Sequence, residues 1–378
     1  MDPLRFRAQF PSLADTTHLA SCSQGAIAAS VTAALAEMAY LVRDQGAPWG
    51  SWMTEVELLR AAAASFINAS ASEVALVPSA SHGAFQVANA VDFANSGVIV
   101  SMADEFPSIG QVLHAQLPGD RQMRWVSREA MSTLGVVEAY RAQIDGATRL
   151  VSVPLALYTN GSLQPVDEIA KYARAVGARV LVDAYQATGV VPVDVAQIDC
   201  DYLITGTLKY LLGLPGIALV FARSGVADQR PPRLTGWFGR VNPFDFDPAK
   251  LDFPGEARRF ESGTPAIPSV YAARAGIKVL GEVDPVTRWT HVEGLVAEAS
   301  ARLTKAGEKL SLPAPDARPG PQVAVLDPEP EALAAFLAGR RIVTSPRGSI
   351  LRVAFHYYNT IDDIDRVCTA IAEYRSRS

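Results

Sequence analysis

The chain is poor in the residues that would mark a metal protein, a disulfide scaffold or a membrane protein. Its three cysteines, Cys22, Cys200 and Cys368, are isolated and lack ligand spacing, so no metal site is expected and a reducing compartment fits. No apolar run approaches the roughly 20 residues that a bilayer-crossing helix needs. The first residues, MDPLRFRAQFPSL, carry charge but no apolar core of the kind a signal peptide has. Basic clusters are missing too. The net charge is -5 with no lysine- or arginine-rich run, which argues against a nucleic-acid partner. No internal repeat is present. What remains is the expectation of a cytoplasmic globular chain that acts on small molecules, without a membrane.

Hydrophobic residues make up 49% of the 378 positions and charged ones 19%. That composition supports a large core, and the length calls for one large and one small domain. The expected division is an N-terminal arm over 1–17, a large domain over 18–265 and a smaller α+β domain over 266–378. Buried strands are expected at 74–77 and 98–101, and a long apolar strand at 149–157. Helices are expected at 30–42, 54–68, 84–91, 166–176 and 267–281, and those at 54–68 and 166–176 carry an apolar stripe at helical spacing. The C-terminal part alternates helices and strands, ending in a helix over 361–374.

One stretch organises the rest: ARVLVDAYQATGVVPVDVAQIDCDYLITGTLKYLLGLPGIALVFAR, residues 178–223. An apolar strand ends on Asp183, with Gln186 one turn later. A second strand, Tyr202-Leu203-Ile204, leads through Gly206-Thr207 to Lys209, and a third runs from Ile217 to Ala222. Neighbouring strands of an open α/β sheet deliver their C-terminal ends to one crevice, where ligands bind. An acid and a lysine so placed are what pyridoxal phosphate chemistry requires. The lysine amine forms a Schiff base with the cofactor aldehyde, and the carboxylate keeps the pyridine nitrogen protonated so that the ring accepts electrons.

The stretch resembles the class V aminotransferase group of fold-type I pyridoxal phosphate enzymes, which includes cysteine desulfurases, isopenicillin N epimerases and kynureninases. Asp183, Gln186, Gly189, Pro192, Asp194, Asp201, Lys209, Gly213 and Gly216 meet its pattern, and the resemblance runs from about Leu19 to Val367. It implies an α/β fold with a mostly parallel central sheet flanked by helices, plus a smaller α+β domain. It also implies bound pyridoxal 5'-phosphate, an amino-acid substrate and a homodimer with composite sites.

The same resemblance assigns further residues. Pro78-Ser79-Ala80-Ser81-His82-Gly83 lies between a strand and a helix, where free N–H groups and the helix dipole favour phosphate. Ala80 and Ser81 take the positions that carry hydroxyls in many members, so one hydroxyl is missing. Phe106 takes the place of the residue that stacks on the cofactor ring, a histidine in desulfurases. Tyr158 is expected near the cofactor's phenolic oxygen, with Asn160 as runner-up. Leu208 offers no hydrogen bond before Lys209, which leaves Thr207 as the nearest donor.

In the motif Arg258 to Pro265, Thr264 is expected to reach the partner's cofactor phosphate. Leu351 to Thr360 matches the substrate-carboxylate motif, with Arg352 as the clamp; a guanidinium fork fixes a carboxylate through two parallel bonds. Ser23 and Gln24, in the turn after His18, and Trp237, in a kynureninase-like GWFGR…PFDFDP loop, are further substrate candidates. Arg240 and His356 are considered for an acidic substrate group, whereas Arg258 and Arg259 are expected to pair with Glu256 and Glu261.

For the reaction, the residues leave an aminotransferase or lyase ahead of a kynureninase-like C–C hydrolase or an epimerase. The 338–349 segment before Arg352 has no cysteine, which argues against a persulfide-forming desulfurase. A cofactor-binding protein without catalysis is the remaining alternative, and it lacks the basic DNA-binding module such a protein would carry.

Overall fold

The computed structural model describes residues 1–93, 97–117, 119, 123–226 and 230–377. In chain order its strands are β1 (Thr17–His18), β2 (Val74–Val77), β3 (Val98–Met102), β4 (Arg124–Val126), β5 (Thr148–Pro154), β6 (Arg179–Asp183), β7 (Tyr202–Gly206), β8 (Ala218–Ala222), β9 (Gln322–Leu326), β10 (Ile342–Val343), β11 (Ser345–Arg347) and β12 (Ile350–Ala354). Seven form one sheet in the order β2-β8-β7-β6-β5-β3-β4. Its strands are parallel from β7 through β4, and β8 runs antiparallel to both of its neighbours. The reversal at β8 has a local cause: residues 207–217 contain no helix, and a parallel return needs a longer crossover.

Strands 180–182 and 203–204 read as unbroken apolar runs because helices cover both faces of the sheet, and these residues are 0% exposed. Register then sets the site. Asp183 lies opposite Pro154 of β5 and Ile204 of β7, so its carboxylate emerges at the sheet's C-terminal edge, near Lys209 three residues past β7.

The helix expected at 84–91 spans Ala80–Ala90, because Ser79 caps it by accepting the His82 N–H at 3.2 Å. The small-residue turn expected to hold phosphate is therefore the first turn of that helix. The helix Trp49–Phe66 likewise begins earlier than expected and takes in Trp49 and Trp52. Helix Pro107–Ala115, strand β4 and helices Arg128–Leu134 and Val136–Arg141 had no counterpart in the sequence reading. They are short, and Gly135 (φ 86) breaks the last two apart.

The C-terminal part carries the antiparallel sheet β11-β12-β9. The first 20 residues pack onto it. Strand β1 pairs with β10, and Ala20 bridges Ala354. Phe6 and Phe10, both buried, lie against the rings of His356, Tyr357 and Tyr358, and Arg7 pairs with Asp363 at 2.9 Å. The expected arm is thus a short capped helix, Pro3–Arg7, seated in the C-terminal layer.

His356 has a structural task rather than the substrate role considered for it. Its Nδ1 accepts the Tyr357 N–H at 2.8 Å, its Nε2–H donates to the Tyr210 carbonyl at 3.0 Å, and burial pushes its pKa down to about 3. The neutral ring ties the C-terminal layer to the segment that follows Lys209.

That segment rests on glycines. A Cβ on Gly25 would lie 2.3 Å from the Lys209 carbonyl oxygen, and one on Gly276 would lie 2.4 Å from that of Leu211. Gly189, at φ 117, would place a Cβ 2.2 Å from the Tyr210 oxygen. Gly189→Ala combines backbone strain with a main-chain clash, and should cost about 2–5 kcal/mol in chemical denaturation. An unchanged denaturation midpoint would show that the bed is not needed.

Candidate active site

A cavity of about 230 Å³ opens at the C-terminal edge of the sheet. Ser79, Ala80 and Ser81 form one wall, Phe106 and Tyr158 another, and Asp183, Gln186 and Lys209 the floor. Each comes from the end of a strand or the start of a helix, which is why residues so far apart in sequence converge.

Lys209 Nζ sits 4.3 Å from the centre of the Tyr185 ring and 5.6 Å from that of Phe106. It makes no ion pair within 4.0 Å among the described residues. Burial pushes its pKa down to about 8. The nearby Asp183 charge opposes the shift, while Arg352 and Arg347 add to it. Gly206 makes room for this arrangement, since a Cβ there would overlap the Tyr185 ring at 2.0 Å.

Asp183 is buried and accepts the Tyr185 N–H at 2.9 Å. Burial raises its pKa, against that hydrogen bond and the Lys209 charge. A second buried acid, Glu105, lines the same cavity and had no role in the sequence reading. Its carboxyl accepts the Phe106 N–H at 2.8 Å and the Ser152 hydroxyl at 3.2 Å. Burial, then the Asp183 charge, lifts it to about 8. Two acids in one apolar site cannot both ionise cheaply, so the proton rests on Glu105 and Asp183 stays anionic beside the amine. Glu105 could have been found by the same rule as Asp183, because it follows a buried strand at the same sheet edge.

Ser81 Oγ lies 2.6 Å from Ser108 Oγ, so a second hydroxyl, from a helix unassigned in the sequence, stands beside the helix start where Ala80 has none. Phe106 and Tyr158 meet edge to face at 5.3 Å. Phe106 is 38% exposed, a cavity wall rather than a core residue. Gln186 donates to the Cys22 carbonyl at 3.1 Å, while its Oε1 is buried without a partner.

Other expected residues lie elsewhere. Thr207 is fully buried, and its hydroxyl serves the Leu214 and Ile217 carbonyls at 2.9 and 3.3 Å, which removes it as a cofactor donor. Gln24 donates to the carbonyls of Gly25 and Gly213, and neither Ser23 nor Gln24 lines the cavity. Trp237 packs on Trp49, Phe238 and Phe244, outside the cavity, and Thr264 is exposed.

Arg240 binds Asp252 and the carbonyls of Asp245 and Asp247, pinning its own loop rather than facing a substrate. The Glu261 carboxylate holds buried Arg60 and the Leu76 N–H instead of standing free for Arg258, which donates to the Val241 carbonyl. Arg352 is 2% exposed and uses three N–H groups, on the carbonyls of Tyr158 (2.8 Å) and Ser345 (3.2 Å) and on Ser345 Oγ (2.6 Å). It has no carboxylate partner among the described residues.

This donor set fits pyridoxal phosphate. The helix start with Ser81 and Ser108 suits a phosphate, the Asp183 anion a protonated ring nitrogen, and the Lys209 amine an aldehyde. The orphaned Gln186 oxygen marks a polar edge that a ligand would complete. With a pKa near 8, roughly one Lys209 amine in ten is neutral at pH 7, far more than for an ordinary lysine. Competitive amine labelling of the cofactor-free protein, read by mass spectrometry, should show Lys209 reactivity levelling off above about pH 8. A rise continuing to pH 10 would contradict the burial effect.

The aminotransferase class-V profile matches residues 26–367. The uncharacterised aminotransferase YcbU of Bacillus subtilis is 33% identical over 370 residues, covering 98% of this chain and 97% of that protein. A kynureninase of Deinococcus radiodurans is 29% identical over 400 residues, covering 98% and 93%. Among solved structures, the cystine C–S lyase C-DES in complex with cysteine persulfide superposes with a TM-score of 0.87 at 20% identity, over 97% of this chain and 99% of that one. The cysteine desulfurase CsdA of Escherichia coli gives 0.86 at 20% identity, over 100% and 99%, a likeness of fold. The chain therefore belongs to the aminotransferase class-V family of pyridoxal-phosphate-dependent enzymes.

Proposed function

We propose that the chain processes an α-amino acid, by transamination or by elimination, with Lys209 as both cofactor anchor and base. The observation that carries this reading is the single cavity in which the Lys209 amine, the Asp183 carboxylate and the capped helix start converge. When bound, pyridoxal phosphate supplies an aldehyde that condenses with amines and a ring that takes up electrons from a bond to the substrate Cα.

The chain's residues do the rest. Arg352, held rigid by Tyr158 and Ser345, orients the substrate carboxylate with its uncommitted N–H groups. Lys209 Nζ, whose neutral fraction burial raises far above that of an ordinary lysine, takes the α-proton and can return it. Asp183 would hold a positive charge on the ring nitrogen of the bound cofactor, and Glu105, whose pKa burial and the Asp183 charge raise, favours its neutral form and so adds little competing negative charge. Phe106 closes one side without offering an acid.

Two observations bear on neighbouring reactions. The hairpin before Arg352 carries no cysteine, and Cys368 sits on the helix Ile361–Arg375, which speaks against persulfide formation. The Trp237 loop and the kynureninase relative favour hydrolytic C–C cleavage as the second reading.

The active form is a homodimer. The exposed Phe244, Phe246 and Leu251 and the exposed Thr264 belong to the face that meets the second copy, where Thr264 completes the partner's phosphate site. Light scattering should give twice the chain mass, and Thr264→Ala should weaken cofactor binding roughly tenfold. A monomer that binds the cofactor fully would refute this arrangement.

The visible spectrum of the holoenzyme, followed as single amino acids are added without an oxo acid, separates the reactions. Stoichiometric loss of the yellow band means transamination. A persisting band with accumulating product means elimination, or hydrolysis if the product reports C–C cleavage. Lys209→Ala should abolish the band and lower turnover by about 10²–10⁴-fold or more. Wild-type turnover in that variant would overturn the assignment.

A further inference from the structure

Beside the cofactor cavity lies a larger cleft of about 820 Å³, and Tyr158 forms part of the wall of both. One side of the cleft is the hairpin of β11 and β12. Across it Ser345 is paired with Arg352, and Arg347 with Ile350. Side chains two residues apart on a strand share a face, and so do directly paired residues on antiparallel strands. Arg347, two residues past Ser345, therefore projects from the same face as Arg352, offset by about 7 Å along the strand. Arg352 is buried against Tyr158, while Arg347 stands in the wall of the cleft with Ile350.

Most other polar groups of the cleft are committed. Asp104 pairs with Arg128 at 2.5 Å. Asn160 donates to the Leu312 carbonyl and accepts the Ser162 N–H, and Gln164 donates to Ser162. The Arg347 side chain makes no ion pair or hydrogen bond among the described residues, yet its charge, like that of Arg352, acts on Lys209. A substrate seated with its α-carboxylate on Arg352 and its Cα at Lys209 would extend its side chain into this cleft, where one uncommitted cation waits. The acidic-substrate idea first attached to Arg240 and His356 thus finds its group on the hairpin instead.

We propose that Arg347 recognises the substrate side chain, and that the preferred substrate is an α-amino acid whose side chain ends in a carboxylate. This rests on the reading of Arg352 as the α-carboxylate clamp.

The test is spectral titration of the holoenzyme with L-aspartate, L-glutamate and L-2-aminoadipate against L-asparagine and L-glutamine, in wild type, Arg347→Gln and Arg352→Gln. In wild type, at least one acid should half-saturate at a concentration about tenfold or more below its amide. Arg347→Gln should raise that value by about tenfold to a hundredfold and shift the amides less than about twofold. Glutarate binding by calorimetry should weaken in the same variant, a readout independent of turnover.

Amides binding as well as acids in wild type, or Arg347→Gln weakening both classes alike, would overturn the proposal. So would a response to neutral amino acids only, which leaves the Lys209 and Arg352 reading intact. If Arg352→Gln binds every amino acid as wild type does, the clamp itself fails, and the proposal falls with it.

Discussion

The burial of a single amine beside a single ionised carboxylate is the constraint on which the rest of the site depends. An amine taken out of water loses its preference for the charged form, and Asp183 only partly restores it. The outcome is a lysine reactive near neutral pH, held where strands β6 and β7 end. Other features maintain that balance. Burial and the Asp183 charge raise the Glu105 pKa and disfavour a second negative charge, Tyr185 covers the amine with a ring face, and Gly206 leaves the space for that ring.

Holding the lysine still is a main-chain problem as much as a side-chain one. Residues 208–212 form no helix or strand, so their backbone is fixed by close approach from Gly25, Gly189 and Gly276 and by the Nε2–H of neutral His356 on the Tyr210 carbonyl. The C-terminal layer therefore touches the Lys209 segment from behind, through His356, and the Tyr158 wall from the other side, through Arg352 on its hairpin. The N-terminal aromatic residues wedged against His356 and Tyr358 make that layer part of the same structure.

Much of the core of the site could be read directly. Asp183, Gln186, Ser81 and Lys209 occupy strand ends or a helix start whose periodicity is plain in the sequence, and all four line one cavity. Thr207 was misplaced because a hydroxyl next to Lys209 in sequence turns inward to backbone carbonyls, a matter of local chain direction. Ser108 and Glu105 escaped because their partners, Ser81 and Asp183, are distant in sequence. Trp237, expected at the substrate, and Thr264 fall outside this chain's cavity.

The sequence by itself determined the class of fold and the cofactor chemistry. Apolar runs that end in an acid or lead to a lysine fit a parallel sheet with a ligand at its C-terminal edge, and the resemblance of the 178–223 stretch to class V aminotransferases is what tied that pattern to pyridoxal phosphate. Only the tertiary structure decided which polar groups are free. Hydrogen bonds commit Thr207, Gln24, Arg240 and His356 to the protein itself, while register and burial leave Asp183, Arg352 and Arg347 with capacity for a ligand. That distinction rests on long-range packing, which no local pattern encodes.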